Sequence, residues 1–106
     1  MAEVLSIDEL RERIDVIDNQ LVRLLNVRVA CAVEVGKLKH ALGMPVYQPD
    51  REARVLTKVK QSAHELAGPL TSEAVARIFE RIIDEARRAE RESGSTNEDF
   101  GPSIGE

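Results

Sequence analysis

Apolar side chains recur along the first 42 residues at alternating steps of three and four. The lane reads Ile7, Leu10, Ile14, Ile17, Leu21, Leu24, Arg28, Cys31, Val35, Leu38 and Leu42. That spacing keeps one face of an α-helix apolar over about five heptads, with Arg28 as the exception. Ser6 and Glu9 form an S-x-x-E capping pair at its start, and Gly43 and Pro45 supply the stop. The same stretch holds no proline and one glycine, Gly36. One long helix over about 6–42 is expected.

Two shorter helices follow the loop GMPVYQP. A helix over 49–66, opened around Asp50, carries Val55, Leu56, Val59, Ala63 and Leu66 on one side and ends at Gly68-Pro69. Thr71 caps a third over 71–92, whose lane is Val75, Ile78, Phe79, Ile82, Ile83 and Ala86. From Ser93 the chain reads SGSTNEDFGPSIGE, poor in aliphatics and rich in turn formers. Residues 1–92 therefore read as one helical domain and 93–106 as a disordered tail.

The length of the first helix bears on assembly. It spans roughly 55 Å at ~1.5 Å per residue. A compact chain of this size has a radius of gyration near ~13 Å and is only about 33 Å across. The helix must project beyond any core that one chain can build. Its apolar lane then needs another chain, most simply in a two-fold homodimer.

Composition agrees with an all-α domain. The 106 residues include three aromatics, Tyr47, Phe79 and Phe100, and 32% are charged. The formal net charge of -4 argues against a nucleic-acid module. No apolar run approaches the ~20 residues a membrane helix needs. The opening MAEVLSIDEL lacks the basic and apolar regions of a secretory signal, so a cytoplasmic setting is expected. Cys31 is the one cysteine, and His40 and His64 do not have zinc-site spacing, so no metal is expected.

Charges fall where apolar residues belong. Arg28 occupies a seam position, Arg51 lies four residues before Val55, and Glu52 four before Leu56. Glu90 continues the third lane four residues beyond Ala86. Taken singly, each has a plain account: a register-setting seam residue, a charged helix start, a frayed helix end. Arg11 and Lys39, one place off the lane, read singly as surface residues. Unpaired buried charge is costly, however, and chains keep it for pairing, specificity or binding. Arg28 and Lys39 are ~16 Å apart along one helix, so their long side chains can converge on a small ligand. Arg11 lies a further ~25 Å from Arg28 and reaches that ligand only from an antiparallel partner helix. Several cations and one or two carboxyl groups in an aliphatic bundle suit a small dicarboxylate.

The run LRERIDVIDNQLVRLLNVRVACAVEVGKLK, followed by PVYQPDREARVL, resembles the all-helical chorismate mutase family over about residues 5–92. The resemblance implies an intertwined homodimer of three-helix chains with two cofactor-free sites, each built from both chains. It implies that Arg11, from the other chain, and Arg28 each bind a substrate carboxylate. Lys39 would reach a carboxylate and the ether oxygen, Arg51 would support the charge network, and Glu52 would hold the ring hydroxyl of chorismate. Glu90 falls where relatives carry Gln or Glu that hydrogen-bonds the ether oxygen. Gln48 stands where some relatives have Asp and can still offer hydrogen bonds; Ala86 stands where some have Ser and cannot.

The function this implies is rearrangement of chorismate to prephenate, an isomerisation in the shikimate pathway towards Phe and Tyr. Two alternatives stay open. An isochorismate–pyruvate lyase of the same fold would also take an enolpyruvyl dicarboxylate. A non-catalytic helical dimer would regulate a partner, such as a related pathway enzyme.

Overall fold

A computed structural model describes residues 4–45 and 47–100, the last seven by backbone alone. Among the described residues, three α-helices follow one another without a strand: α1 (Ile7–Leu42), α2 (Pro49–Leu66) and α3 (Ser72–Phe100). The all-α reading of the sequence holds.

Local chemistry sets the helix ends. Ser6 Oγ accepts from the Glu9 N–H at 3.1 Å, and Glu9 Oε1 accepts from the Ser6 N–H at 2.9 Å. The bond from the Ser6 backbone N–H, followed by the Ser6 hydroxyl, holds the pKa of the Glu9 carboxyl below its ordinary value. At the other end Gly43 takes the left-handed conformation, φ 70°. Its N–H donates to the His40 carbonyl at 3.2 Å and that of Met44 to the Lys39 carbonyl at 2.8 Å. Glycine fits there because it has no Cβ to strain.

α2 starts with Pro49 in its first turn, where the missing N–H costs nothing. It ends less comfortably. Ala67, not a glycine, takes the left-handed cap position with φ 51°. Gly68 immediately precedes Pro69, whose ring disfavours helical dihedrals at the residue before it. The reversal thus falls one residue early. Thr71 caps α3, its Oγ1 accepting from the Ala74 N–H at 3.0 Å.

α3 runs eight residues beyond the expected end at 92. Gly94 weakens a helix without breaking one, and the first proline after Pro69 is Pro102. Residues 93–100, read from the sequence as tail, are therefore helical in backbone. Residues 101–106 of that expected tail lie outside the described residues.

α2 and α3 form an antiparallel pair tied at both ends. The Ser72 hydroxyl donates to the Lys60 carbonyl at 3.1 Å, and Lys60 Nζ lies 3.5 Å from Glu73 Oε1. At the far end Arg87 pairs with Glu52. α3 also packs on α1, so it is the element that joins the other two.

One chain buries little. Among the described side chains only Ala86 is buried. Every residue from Ile7 through Val27 is exposed, Leu24 by 63%. The half-buried positions of α1 are Arg28, Val29, Ala32, Val33, Gly36 and Lys39. The sequence lane continues instead through Cys31, Val35, Leu38 and Leu42, which stay exposed. α1 therefore has two apolar faces in its second half: one covered by α3, the other bare. Leu66, expected to pack, is 82% exposed at the end of α2. The radius of gyration is 18.6 Å, against ~13 Å for a compact chain, and the long axis measures 66 Å.

The strained cap gives a test. Ala67→Gly relieves a left-handed alanine and concedes some unfolded-state entropy, so stability rises by about 0.5–1 kcal/mol. Thermal or urea unfolding measures this. A lower midpoint would contradict the strain.

Candidate active site

Where α1 and α2 stand apart across α3, a cleft of about 280 Å³ opens. This is the small end of ligand-pocket volumes, ~300–1,000 Å³. Its apolar wall comes from Val35 of α1, Val55 of α2, and Ile83 and Ala86 of α3, with Cys31 and Ala32 beside them. Against that wall stand the polar groups Arg28, Lys39, Gln48, Arg51, Glu52 and Glu90. Six of the seven site residues expected from the sequence thus line one space. The seventh, Arg11, does not: it lies 17 residues before Arg28 on α1, about 25 Å along the axis, and is exposed.

Each side chain owes its position to its helix. Arg28, on the heptad lane, and Lys39, one place off it, are both half-buried on the side of α1 that meets α3. The Arg28 guanidinium lies over the Phe79 ring of α3, 5.7 Å from its centroid. The contact holds the cation by ring quadrupole without neutralising it. Gln48 is the N-cap residue of α2, and its side chain makes no capping hydrogen bond. Its carbonyl accepts from Arg51 and Glu52 N–H groups at 3.1 and 3.3 Å, so the cap fixes the first turn that carries both site residues.

Glu90 enters from α3. Desolvation raises its pKa above the ordinary carboxyl value; Lys39 and Arg87 oppose the shift, and the Glu52 charge adds to it. Such a carboxyl keeps its proton to a higher pH than an exposed one does. It can therefore donate as well as accept.

Arg87 was not among the residues expected from the sequence. Its guanidinium pairs with Glu52 across α2–α3, donates to Asp84 Oδ1 at 2.5 Å, and stacks 5.8 Å from the Tyr47 ring centroid. One cation thus joins α2, α3 and the loop between α1 and α2 at the cleft. A signal for it exists: Arg87 lies four residues after Ile83 and three before Glu90, within the apolar stripe.

The cleft offers fixed cations for a small polyanion, an acceptor carboxylate and a protonatable carboxyl over an aliphatic floor. The Chorismate mutase type II family model matches residues 10–91. The chain is 40% identical over 90 residues to a bifunctional chorismate mutase/prephenate dehydratase of Neisseria gonorrhoeae, covering 81% of this chain and 24% of that protein. It is 32% identical over 91 residues to the T-protein of Enterobacter agglomerans, covering 86% and 24%. It thus spans about a quarter of the length of these curated relatives. Among solved structures it is similar to chorismate mutase (form II) from Thermus thermophilus. There the TM-score is 0.74 at 30% identity, over 80% of this chain and 93% of that one.

Removing the Arg87 charge should be felt at Glu52. Arg87→Met lowers stability by about 1 kcal/mol, a partly solvated ion pair's worth, and Arg87→Lys recovers part of it. Urea unfolding of the three proteins measures the difference. Equal midpoints would show that the pair does not tie α2 to α3.

Proposed function

The chain belongs to the chorismate mutase type II family, and from that premise we propose that it rearranges chorismate to prephenate. One observation carries the reading: six residues singled out from the sequence, by lane charge or by family resemblance, line a single cleft. The reaction is unimolecular. The ether C–O bond breaks as a C–C bond forms, and no group enters or leaves. The protein's task is to hold the reactive conformer and to stabilise negative charge that develops on the ether oxygen.

Arg28 binds one carboxylate. Lys39 reaches a carboxylate and the ether oxygen, and Glu90 in its protonated form donates to the same oxygen. Glu52, paired with Arg87, accepts from the ring hydroxyl. Gln48 adds hydrogen bonds and Arg51 supports the local charge. The second carboxylate takes Arg11 from another copy of the chain, in an intertwined homodimer whose interface is the exposed lane of α1. Coverage by that copy also dries the cleft, which strengthens every charge interaction inside it.

Two settings belong to the same proposal. The Neisseria gonorrhoeae relative is named for both a mutase and a prephenate dehydratase. A prephenate-consuming enzyme is accordingly the kind of partner this chain would have. A cytoplasmic location fits a single cysteine that asks for no oxidising compartment; among the described residues no helix is long and apolar enough to cross a membrane.

The deciding assay supplies chorismate and isochorismate separately to the purified chain. Prephenate formed from chorismate supports the proposal; salicylate and pyruvate from isochorismate would make it a lyase, and no turnover a binding protein. The pH profile tests the donor. Because Glu90 acts protonated and its pKa is raised, kcat/KM should hold below that pKa and fall as pH rises through it. Glu90→Gln, a donor at every pH, flattens that limb. Coincident profiles would remove Glu90 from the role.

A further inference from the structure

Gly36 is the one glycine within α1 and sits well inside the helix. Glycine is, short of proline, the least favourable residue for a helix interior. Something other than helix formation has to account for it. No turn does, since α1 runs unbroken through the position to Leu42.

The neighbouring space supplies a reason. A Cβ built on Gly36 would stand 3.0 Å from Glu90 Oε2, 3.5 Å from its Cδ and 3.6 Å from its Cγ. The end of the Glu90 side chain thus occupies the volume a side chain at 36 would take. Its carboxyl rests against bare backbone of α1. Lys39 lies one turn further along the same helix. The charged groups that bear on this carboxyl are Lys39 from α1, Glu52 from α2 and Arg87 from α3 itself. Arg28 and Arg51 line the same cleft from α1 and α2.

We propose that Gly36 is a positioning residue whose missing side chain forms the seat for the Glu90 carboxyl on the α1 wall of the cleft. The seat limits how far Glu90 projects towards the substrate and shields part of its carboxyl from water. This rests on the donor role assigned to Glu90 above. Even a methyl group fills the seat: an atom at 3.0 Å must give by a few tenths of an ångström. The flexible carboxyl gives, not the helix. Displacement turns Glu90 away from the bare backbone and towards solvent.

The experiment is a cycle of Gly36→Ala and Glu90→Ala, singly and together, with three readouts. These are thermal unfolding, kcat and KM across pH, and the Glu90 carboxyl titration followed by carbon NMR. In Gly36→Ala the melting midpoint holds or rises, as alanine favours helix. Its kcat falls about tenfold with KM little changed, the signature of a misplaced group. The Glu90 titration moves down towards the ordinary carboxyl value, and the falling limb of kcat/KM moves with it. On the Glu90→Ala background, Gly36→Ala changes kcat no further.

An unshifted Glu90 titration in Gly36→Ala would overturn the seat. So would an equal loss of kcat on both backgrounds, which marks a general packing defect. The donor role fails separately, if Glu90→Ala alone keeps full turnover; the NMR titration then still decides whether Gly36 seats the carboxyl.

Discussion

α1 is twice as long as α2, 36 residues against 18, and α3 covers only its second half. That mismatch governs the rest of the molecule. Hydrophobic burial is the dominant favourable term in folding, at ~25 cal/mol per Å² of apolar surface. A chain that leaves Leu10, Ile14, Ile17, Leu21 and Leu24 about half exposed or more has not collected that term. Its elongated shape follows, and so does the absence, among the described side chains, of a buried core larger than Ala86. In the proposed homodimer a second copy laid along the bare lane would supply the missing burial. The same copy would bring its Arg11 near the cleft that Arg11 of the first chain cannot reach.

The second half of α1 serves two masters. One face, through Val29, Ala32, Val33 and Gly36, meets α3; the other, through Cys31, Val35, Leu38 and Leu42, remains on offer. Arg28 and Lys39 ride the α3 face, and between them the helix carries no side chain at 36 against Glu90. The cleft is thus a gap in packing furnished with charge. Of its cations, Arg28 rests on the Phe79 ring and Arg87 is held by the Glu52 and Asp84 carboxylates. Helix surfaces elsewhere spend their charges locally, as in the Arg81–Glu85 pair at 2.6 Å.

Much of this was legible in the sequence because it is local. Ser6–Glu9, Gly43, Pro49 and Thr71 announce helix ends through hydrogen bonds and dihedrals that involve only neighbours. Arg11, Arg28, Lys39, Arg51, Glu52 and Glu90 came from charges on or beside apolar stripes and Gln48 from the family resemblance; all but Arg11 share the cleft. What the sequence hid depends on distant contacts. A heptad lane follows one face of α1, so it could not show that Lys39 belongs to a second face. Arg87 lies within the apolar stripe, but its role shows only when Glu52 and Tyr47, 35 and 40 residues away, come to meet it. Gly36 is unremarkable until Glu90, 54 residues later, is found in the space beside it. The Ala67 cap and the longer α3 were missed because Gly68 and Gly94 look like stop signals, whereas Pro69 and Pro102 constrain the backbone more strongly.

The central claim is that the bare lane of α1 is the seam of a dimer whose active sites each draw on both chains. Complementation tests it most directly. Arg11→Ala and Arg28→Ala chains, each inactive as a homodimer, are co-expressed under different tags, and the mixed dimer is isolated and assayed for prephenate formation. In a cross-chain site one of its two sites carries both defects and the other neither. Activity should then return to about half the wild-type value per dimer. Verified mixed dimers that remain as inactive as their parents would contradict the account, because each site would then take both arginines from one chain.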